Sequence, residues 1–132
     1  MPWSCNPNDV RILIVDDDPM LRKLLRSTLQ SLDHTNILES GLGQEAVDLC
    51  QQNPLDLVFL DIEMPGEMNG IDVLNELRKD KRPVSIIMLT AHSTIANVRQ
   101  AAASKVNGFL VKPLNPERIE KVLEHYHQSR CA

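Results

Sequence analysis

Five short apolar runs, separated by stretches with helical periodicity, constrain this sequence more than any other feature. Arg11–Val15 is rich in β-branched residues and too short for a helix. Asn36–Ser40 is a weaker run, and Leu55–Leu60, Val84–Leu89 and Phe109–Val111 complete the set. After the first run Asp18 offers a helix N-cap, and Pro19 suits the first helical position. Leu21, Leu24, Leu25, Thr28, Leu29 and Leu32 then recur at three- and four-residue steps, one face of an amphipathic helix. A second helix carries Ala46, Val47 and Cys50 and stops at the Asn53–Pro54 breaker, and a third opens at Gly70 with Ile71, Leu74 and Leu77. An alanine-rich fourth centres on Ile95, Val98 and Ala102, and a last one starts at Pro116 and aligns Ile119, Val122, Leu123 and Tyr126. Strands alternating with helices predict an α/β fold, a parallel sheet of five strands covered by five helices on its two faces. Near-continuous apolar strands fit burial on both sides. At 132 residues the chain is one domain, with residues 1–9 as a flexible arm, 10–128 as the domain and 129–132 as a tail.

The polar residues that interrupt this pattern fall in one kind of place. Asp16, Asp17 and Asp18 follow the first strand, Asp61 follows the third, Thr90 ends the fourth and Lys112 follows the fifth. All are strand carboxyl ends, the rim where ligands bind in open parallel sheets. Carboxylates gathered there repel one another and favour a hard, oxygen-seeking cation such as Mg²⁺, which also takes phosphate oxygens as ligands. A carboxylate beside that metal can attack phosphorus, while a lysine and a hydroxyl stabilise the transferring group. The residues therefore point to phosphoryl transfer onto Asp61.

Other classes fit less well. The hydrophobic share of 42% is that of an ordinary globular chain, and no apolar run approaches the ~20 residues that span a bilayer, so a cytoplasmic protein is expected. A net charge of −4 leaves no footprint for nucleic acid. Cys5, Cys50 and Cys131 are odd in number and lack metal-ligand spacing, so neither a disulfide framework nor a zinc site is anticipated. His34, His125 and His127 have no carboxylate or cysteine at ligand spacing and read as surface residues.

Val15–Asp16–Asp17–Asp18–Pro19, Leu60–Asp61–Ile62–Glu63–Met64–Pro65 with Gly70 beyond it, Leu89–Thr90–Ala91 and Val111–Lys112–Pro113 together resemble the response-regulator receiver family of two-component signalling. The resemblance runs from about Arg11 to Tyr126. It implies a flavodoxin-like, doubly wound sheet of order 2-1-3-4-5 and phosphorylation of Asp61 by a histidine kinase or phosphotransfer protein. It also implies Mg²⁺ held by Asp17 directly, by Asp16 largely through water, by Asp61 and by the backbone carbonyl of Glu63. Lys112 matches the phosphate-binding lysine, Thr90 and Phe109 match the side chains that rearrange, and Glu63 and His92 match positions that modulate loss of the phosphoryl group. Lys112–Pro113 corresponds to a bond that is often cis in the family. The stretch Met64–Gly70 departs from the family pattern: it is one residue longer than the common form and has Asn69 where aspartate is usual.

Each residue also has a plainer reading. Asp16–Asp18 can be a helix cap in a solvated loop, Asp61 a turn residue, Thr90 a strand-end hydroxyl, Lys112 a solvated lysine, Phe109 core and His92 a loop residue. Their joint placement at one sheet edge favours the chemical reading. Two alternatives remain open: a pseudo-receiver that binds a partner without phosphorylation, and an aspartate-nucleophile phosphatase of the haloacid-dehalogenase type. In the phosphatase the acidic pair comes last in the chain, whereas Asp16–Asp17 comes first here. Nothing after Tyr126 resembles an effector module, so output through contact with a downstream protein or a tethered effector domain is expected.

Overall fold

The computed structural model describes residues 3–79, 83–91 and 105–130. Strands β1 (Ile12–Val15), β2 (Ile37–Ser40), β3 (Leu57–Asp61), β4 (Ser85–Ala91) and β5 (Gly108–Lys112) form one parallel sheet in the order β2-β1-β3-β4-β5. Helices α1 (Pro19–Ser31), α2 (Gly43–Gln52), α3 (Gly70–Lys79) and α4 (Pro116–Arg130) accompany it. The arrangement is flavodoxin-like, as the sequence implied. The anticipated helix around Ile95, Val98 and Ala102 lies outside the described residues.

Period-two alternation within the strands divides the core. Ile12, Ile14, Leu57, Phe59, Ile87 and Leu89 face Leu25 and Leu29 of α1 and Ile119 and Leu123 of α4. Leu13, Val15, Val58, Leu60, Ile86 and Met88 face Val47 and Cys50 of α2 and Val73, Leu74 and Leu77 of α3. Removing such a side chain from water stabilises the fold by roughly 1.5–3 kcal/mol each. Register follows from this two-sided burial, because a one-residue slip would exchange the two faces of a strand. Local signals agree with the packing. Asp18 Oδ1 accepts from the Met20 N–H at 2.9 Å as an N-cap, and Pro19 follows it. Asp33, with φ of 70°, ends α1 in the left-handed region. The Lys112–Pro113 peptide is cis.

Three sequence expectations meet a different outcome on the amino-end side of the sheet. The segment read as a loose arm forms a 3-10 turn at Pro7–Asp9 and carries Trp3 into the core, where an indole gains more from burial than a free arm gains in entropy. Trp3 packs on His34 and His127, with ring centroids 5.0 and 4.9 Å away. These histidines are buried rather than superficial, at 0% and 1% exposure, while His125 is exposed as expected. A buried imidazole needs partners, and each finds one from a distant part of the chain. The Leu32 carbonyl, 2.7 Å from His34 Nδ1, only accepts, so that nitrogen carries the proton. The bare His34 Nε2 then accepts from His127 Nε2–H at 2.9 Å. Cys5 Sγ lies 3.5 Å from His127 Nδ1. Cys5 is disulfide-bonded and Cys50 is buried, where the sequence reading anticipated no disulfide framework. Cysteine count and spacing cannot reveal which sulfurs the fold brings near each other.

Burial holds both imidazoles below their ordinary 6.5, against the opposing Leu32 bond and Asp33 charge at His34 and reinforced by His34 at His127. A depressed histidine stabilises the fold fully above the unfolded value, and that stability is lost as pH falls through the folded value. In an Asp61→Asn background, the thermal midpoint is expected to fall by on the order of 5 °C between about pH 7 and pH 5. The added change His34→Gln with His127→Leu should flatten that slope. An equally steep slope in the triple variant would remove the pair as its cause.

Candidate functional site

The carboxyl ends of β1, β3, β4 and β5 share one edge of the sheet, and their polar side chains meet there. Asp16 follows β1 and is fully buried, Asp61 ends β3 at 2% exposure, and the neighbouring Asp17 is exposed. Carboxylate oxygens of Asp16, Asp17 and Asp61 all lie within 4.8 Å of one another. Lys112 ends β5, and its Nζ stands 3.0 Å from Asp16 Oδ2 and 3.3 Å from Asp61 Oδ2.

Both buried carboxylates are locked by the same local motif. Asp16 Oδ1 accepts from the Asp18 N–H and Asp61 Oδ1 from the Glu63 N–H, each at 2.9 Å. Folding back onto the amide two residues on is the turn that aspartate makes where a strand gives way to a loop. It leaves Oδ2 of each residue turned toward Lys112. Asp16 Oδ2 is fully buried without a well-aligned hydrogen bond, so its contact with Lys112 is one of charge rather than direction.

Electrostatics at the site follow from crowding. Burial raises the Asp61 carboxyl from its ordinary 3.8 to about 6, aided by the Asp16 charge and opposed by the Glu63 amide and by Lys112. Burial opposes the Lys112 charge, yet the close Asp16 and Asp61 carboxylates outweigh it and hold the ammonium above its ordinary range. Three carboxylates face one ammonium, and Asp16 Oδ2 is an acceptor with no aligned donor. An all-oxygen set of excess negative charge fits a hard divalent cation.

Thr90 is fully buried in β4, and its hydroxyl donates to the Ala91 carbonyl at 3.2 Å. It lies one residue beyond Leu89, the partner of Asp61 in the sheet register. Phe109 is half-buried in β5 and pairs with Met88. Glu63 has an exposed side chain and meets the site through its backbone N–H. His92 lies outside the described residues.

The loop from Met64 to Gly70 returns against β3. The Asn69 N–H donates to Asp72 Oδ2 and the Asp72 N–H to Asn69 Oδ1, both at 3.0 Å. This reciprocal cap gives Asn69 a structural role at the start of α3. The Gly70 N–H donates to the Ile62 carbonyl at 3.1 Å, and a Cβ at Gly70 would stand 2.2 Å from the Asp61 carbonyl oxygen. Sequence reading treated Gly70 as a helix start and missed that its missing side chain lets α3 approach the backbone of Asp61. It also missed Arg22, whose Nη1 donates to the Asp16 carbonyl.

Comparisons with known proteins agree with this geometry. The family model for the response regulator receiver domain matches residues 12–124. The chain is 36% identical over 121 residues to the chemotaxis protein CheY of Pseudomonas aeruginosa, covering 87% of this chain and 97% of that one. It is 35% identical over 118 residues to a CheY homolog of Campylobacter jejuni, covering 87% and 90%. Among solved structures, the receiver domain of NtrX from Brucella abortus superposes with a TM-score of 0.82 at 26% identity, covering 89% of this chain and 98% of that one. CheY4 of Vibrio cholerae gives 0.79 at 28% identity, again covering 89% and 98%. With the family match spanning most of the chain and the sheet order and acidic edge in place, this protein belongs to the response regulator receiver domain family.

Proposed function

We propose that this receiver domain takes a phosphoryl group on Asp61 from a phosphohistidine of a histidine kinase or phosphotransfer protein, in a cytoplasmic two-component pathway. The observation that carries the reading is the convergence of Asp16, Asp17 and Asp61 within 4.8 Å with Lys112 at 3.3 Å from Asp61. Asp16, Asp17, Asp61 and the backbone carbonyl of Glu63 would hold Mg²⁺, which supplies charge neutralisation for phosphoryl transfer. An Asp61 carboxylate oxygen attacks phosphorus while the phosphorus–nitrogen bond of the donor breaks and the imidazole leaves. Lys112, already beside Asp61, turns its ammonium to the incoming phosphoryl oxygens. The Thr90 hydroxyl exchanges its bond to the Ala91 carbonyl for one to a phosphoryl oxygen, and Phe109 repacks as Thr90 moves. Only the differential contacts of the phosphoryl group drive that shift.

The changed surface then engages a downstream protein or a tethered effector domain. Glu63 and His92 flank the phosphoryl group and tune its loss to water. Beyond phosphorylating and dephosphorylating itself, the domain turns over no substrate, and it binds neither nucleic acid nor membrane. No helix among the described residues is long and apolar enough to cross a bilayer.

Incubation with acetyl phosphate and Mg²⁺ tests the reading: an acyl phosphate should form and map to Asp61, and no turnover of small phosphoesters should appear. Asp17→Ala should raise the Mg²⁺ needed for half-maximal labelling by at least about tenfold while leaving the domain folded. Labelling that ignores Mg²⁺, or a variant that matches the parent, would remove Asp17 from the metal site. A parent that takes no label is the pseudo-receiver outcome.

A further inference from the structure

Arg22 stands in the first turns of α1, where its own N–H donates to the Asp18 carbonyl at 3.1 Å. Its guanidinium turns back over the loop after β1. Nη1 donates to the Asp16 carbonyl, and Nε donates to Glu39 Oε1 at 3.1 Å. Glu39 lies on β2, opposite Ile14 of β1, and its other oxygen accepts from Arg26 Nη1 at 2.8 Å. One planar fork thus joins α1, the end of β1 and β2, with its carboxylate anchor steadied by a second arginine. Gly41 leaves room for it, since a Cβ there would meet Arg22 Nη1 at 3.1 Å.

The atom that Arg22 grips matters more than the ion pairs around it. Asp16 is already held at its N–H by the Ser40 carbonyl and at its side chain by the Asp18 N–H and Lys112. Its carbonyl belongs to the peptide unit that leads into Asp17. Rotation of that unit would swing the exposed Asp17 carboxylate relative to Asp16 and Asp61. We propose that Arg22 is a positioning residue for the divalent-cation site: by fixing the Asp16 carbonyl from Glu39 on β2, it sets where Asp17 points. The inference rests on the reading of the acidic edge as a metal site and names a residue outside the acidic set as part of its precision.

Charge and position predict opposite signs here, which makes the proposal sharp. A guanidinium near three carboxylates repels a cation, so a purely electrostatic Arg22 would be a brake, and Arg22→Ala would tighten Mg²⁺ binding. A positioning Arg22 makes the same variant bind more weakly. Arg22→Lys keeps the charge but loses the planar fork, so it should weaken binding as well. The ion pairs are partly exposed and contribute little stability, so the variants are expected to fold.

The test is calorimetric titration of the full chain with Mg²⁺ alone, which needs no phosphorylation. Arg22→Ala and Arg22→Lys should each raise the dissociation constant about tenfold, with Glu39→Gln between them and the parent. In acetyl phosphate labelling, the half-saturating Mg²⁺ should rise with it, while the rate at saturating Mg²⁺ stays within about twofold of the parent. Parental or tighter binding by Arg22→Ala overturns the inference, as does full rescue by lysine. If Arg22→Ala fails to fold, unchanged binding by Glu39→Gln overturns it instead. A parent that binds Mg²⁺ but takes no label on Asp61 sinks the phosphoacceptor reading and leaves this one standing; a parent that binds no Mg²⁺ sinks both.

Discussion

Asp61→Asn is expected to abolish labelling by acetyl phosphate and, in metal-free buffer, to leave a more stable protein than the parent. The first effect is chemical. The amide keeps the size of the side chain and its bond from the Glu63 N–H, but its oxygen carries no charge to attack phosphorus, so labelling should fall below detection. The second effect is electrostatic. In the fold the Asp61 carboxyl sits at about 6, raised first by burial and then by Asp16, against an ordinary 3.8. A raised carboxyl favours folding fully only below its unfolded value, and that contribution is lost as pH rises through the folded one. Near neutrality the parent therefore holds a buried charge that the unfolded chain would keep in water at less cost, and the asparagine holds none. A two-unit shift, in which the attraction to Lys112 is already contained, is equivalent to about 3 kcal/mol and sets the upper bound of the gain. Denaturant unfolding at about pH 7.5 should show that gain, and it should shrink toward pH 4 as Asp61 becomes neutral in the parent too. Mg²⁺ should narrow or reverse the order, because it binds the folded parent more tightly. Full labelling of the variant at another residue would refute Asp61 as the acceptor. A stability difference independent of pH would refute the electrostatic account while leaving the chemistry intact.

Gly70→Ala should damage both stability and chemistry through a single methyl group. Its Cβ would lie 2.2 Å from the Asp61 carbonyl oxygen and 2.4 Å from Ile62 Cα. Both neighbours are backbone, so no rotamer relieves the contact; either α3 moves away or the end of β3 is displaced. Overpacking of this kind costs about 3 kcal/mol. Because the displaced residue is Asp61 itself, acetyl phosphate labelling should also slow by at least about tenfold. Gly108→Ala is the control: its Cβ would meet Ile87 Cδ1 at 3.2 Å, the end of a side chain that can give way. That variant should label at the parental rate. A Gly70→Ala protein with parental stability would mean that α3 withdraws freely, and the loop from Met64 to Gly70 would then be no constraint on Asp61.

Much of the fold was legible because each β-strand is buried on both faces and so reads as an apolar run whatever its neighbours. Observed strand ends differ from the anticipated ones by no more than two residues, as with Leu57–Asp61 against Leu55–Leu60. The acidic edge was legible for a related reason: a charged residue abutting such a run has to sit at a strand end. Asn69 and Asp72 carried a signal too, since mutual side-chain-to-amide capping at three-residue spacing is a local pattern. Contacts between distant segments left no such trace. His34 and His127 are 93 positions apart, and nothing in their spacing marks them as partners. The reach of Arg22 to Glu39 and the approach of Gly70 to Asp61 depend equally on how the layers stack. His92 and the segment that follows it lie outside the described residues.

The position of α4 separates the chemistry from the ends of the domain. Its first turn follows Lys112, and its last residue, Arg130, reaches Ser85 Oγ at the opposite edge of the sheet, where His127 also meets Trp3. Fifteen residues of helix span about 22 Å. A reporter, tag or second module joined near Trp3 or Arg130 therefore begins about a helix length from Asp61. For such an attachment to sense phosphorylation, α4 has to shift as a rod or the sheet has to carry the change across its width. Fusions at these ends should accordingly be benign to phosphate uptake, and any reporter placed there measures transmission rather than occupancy.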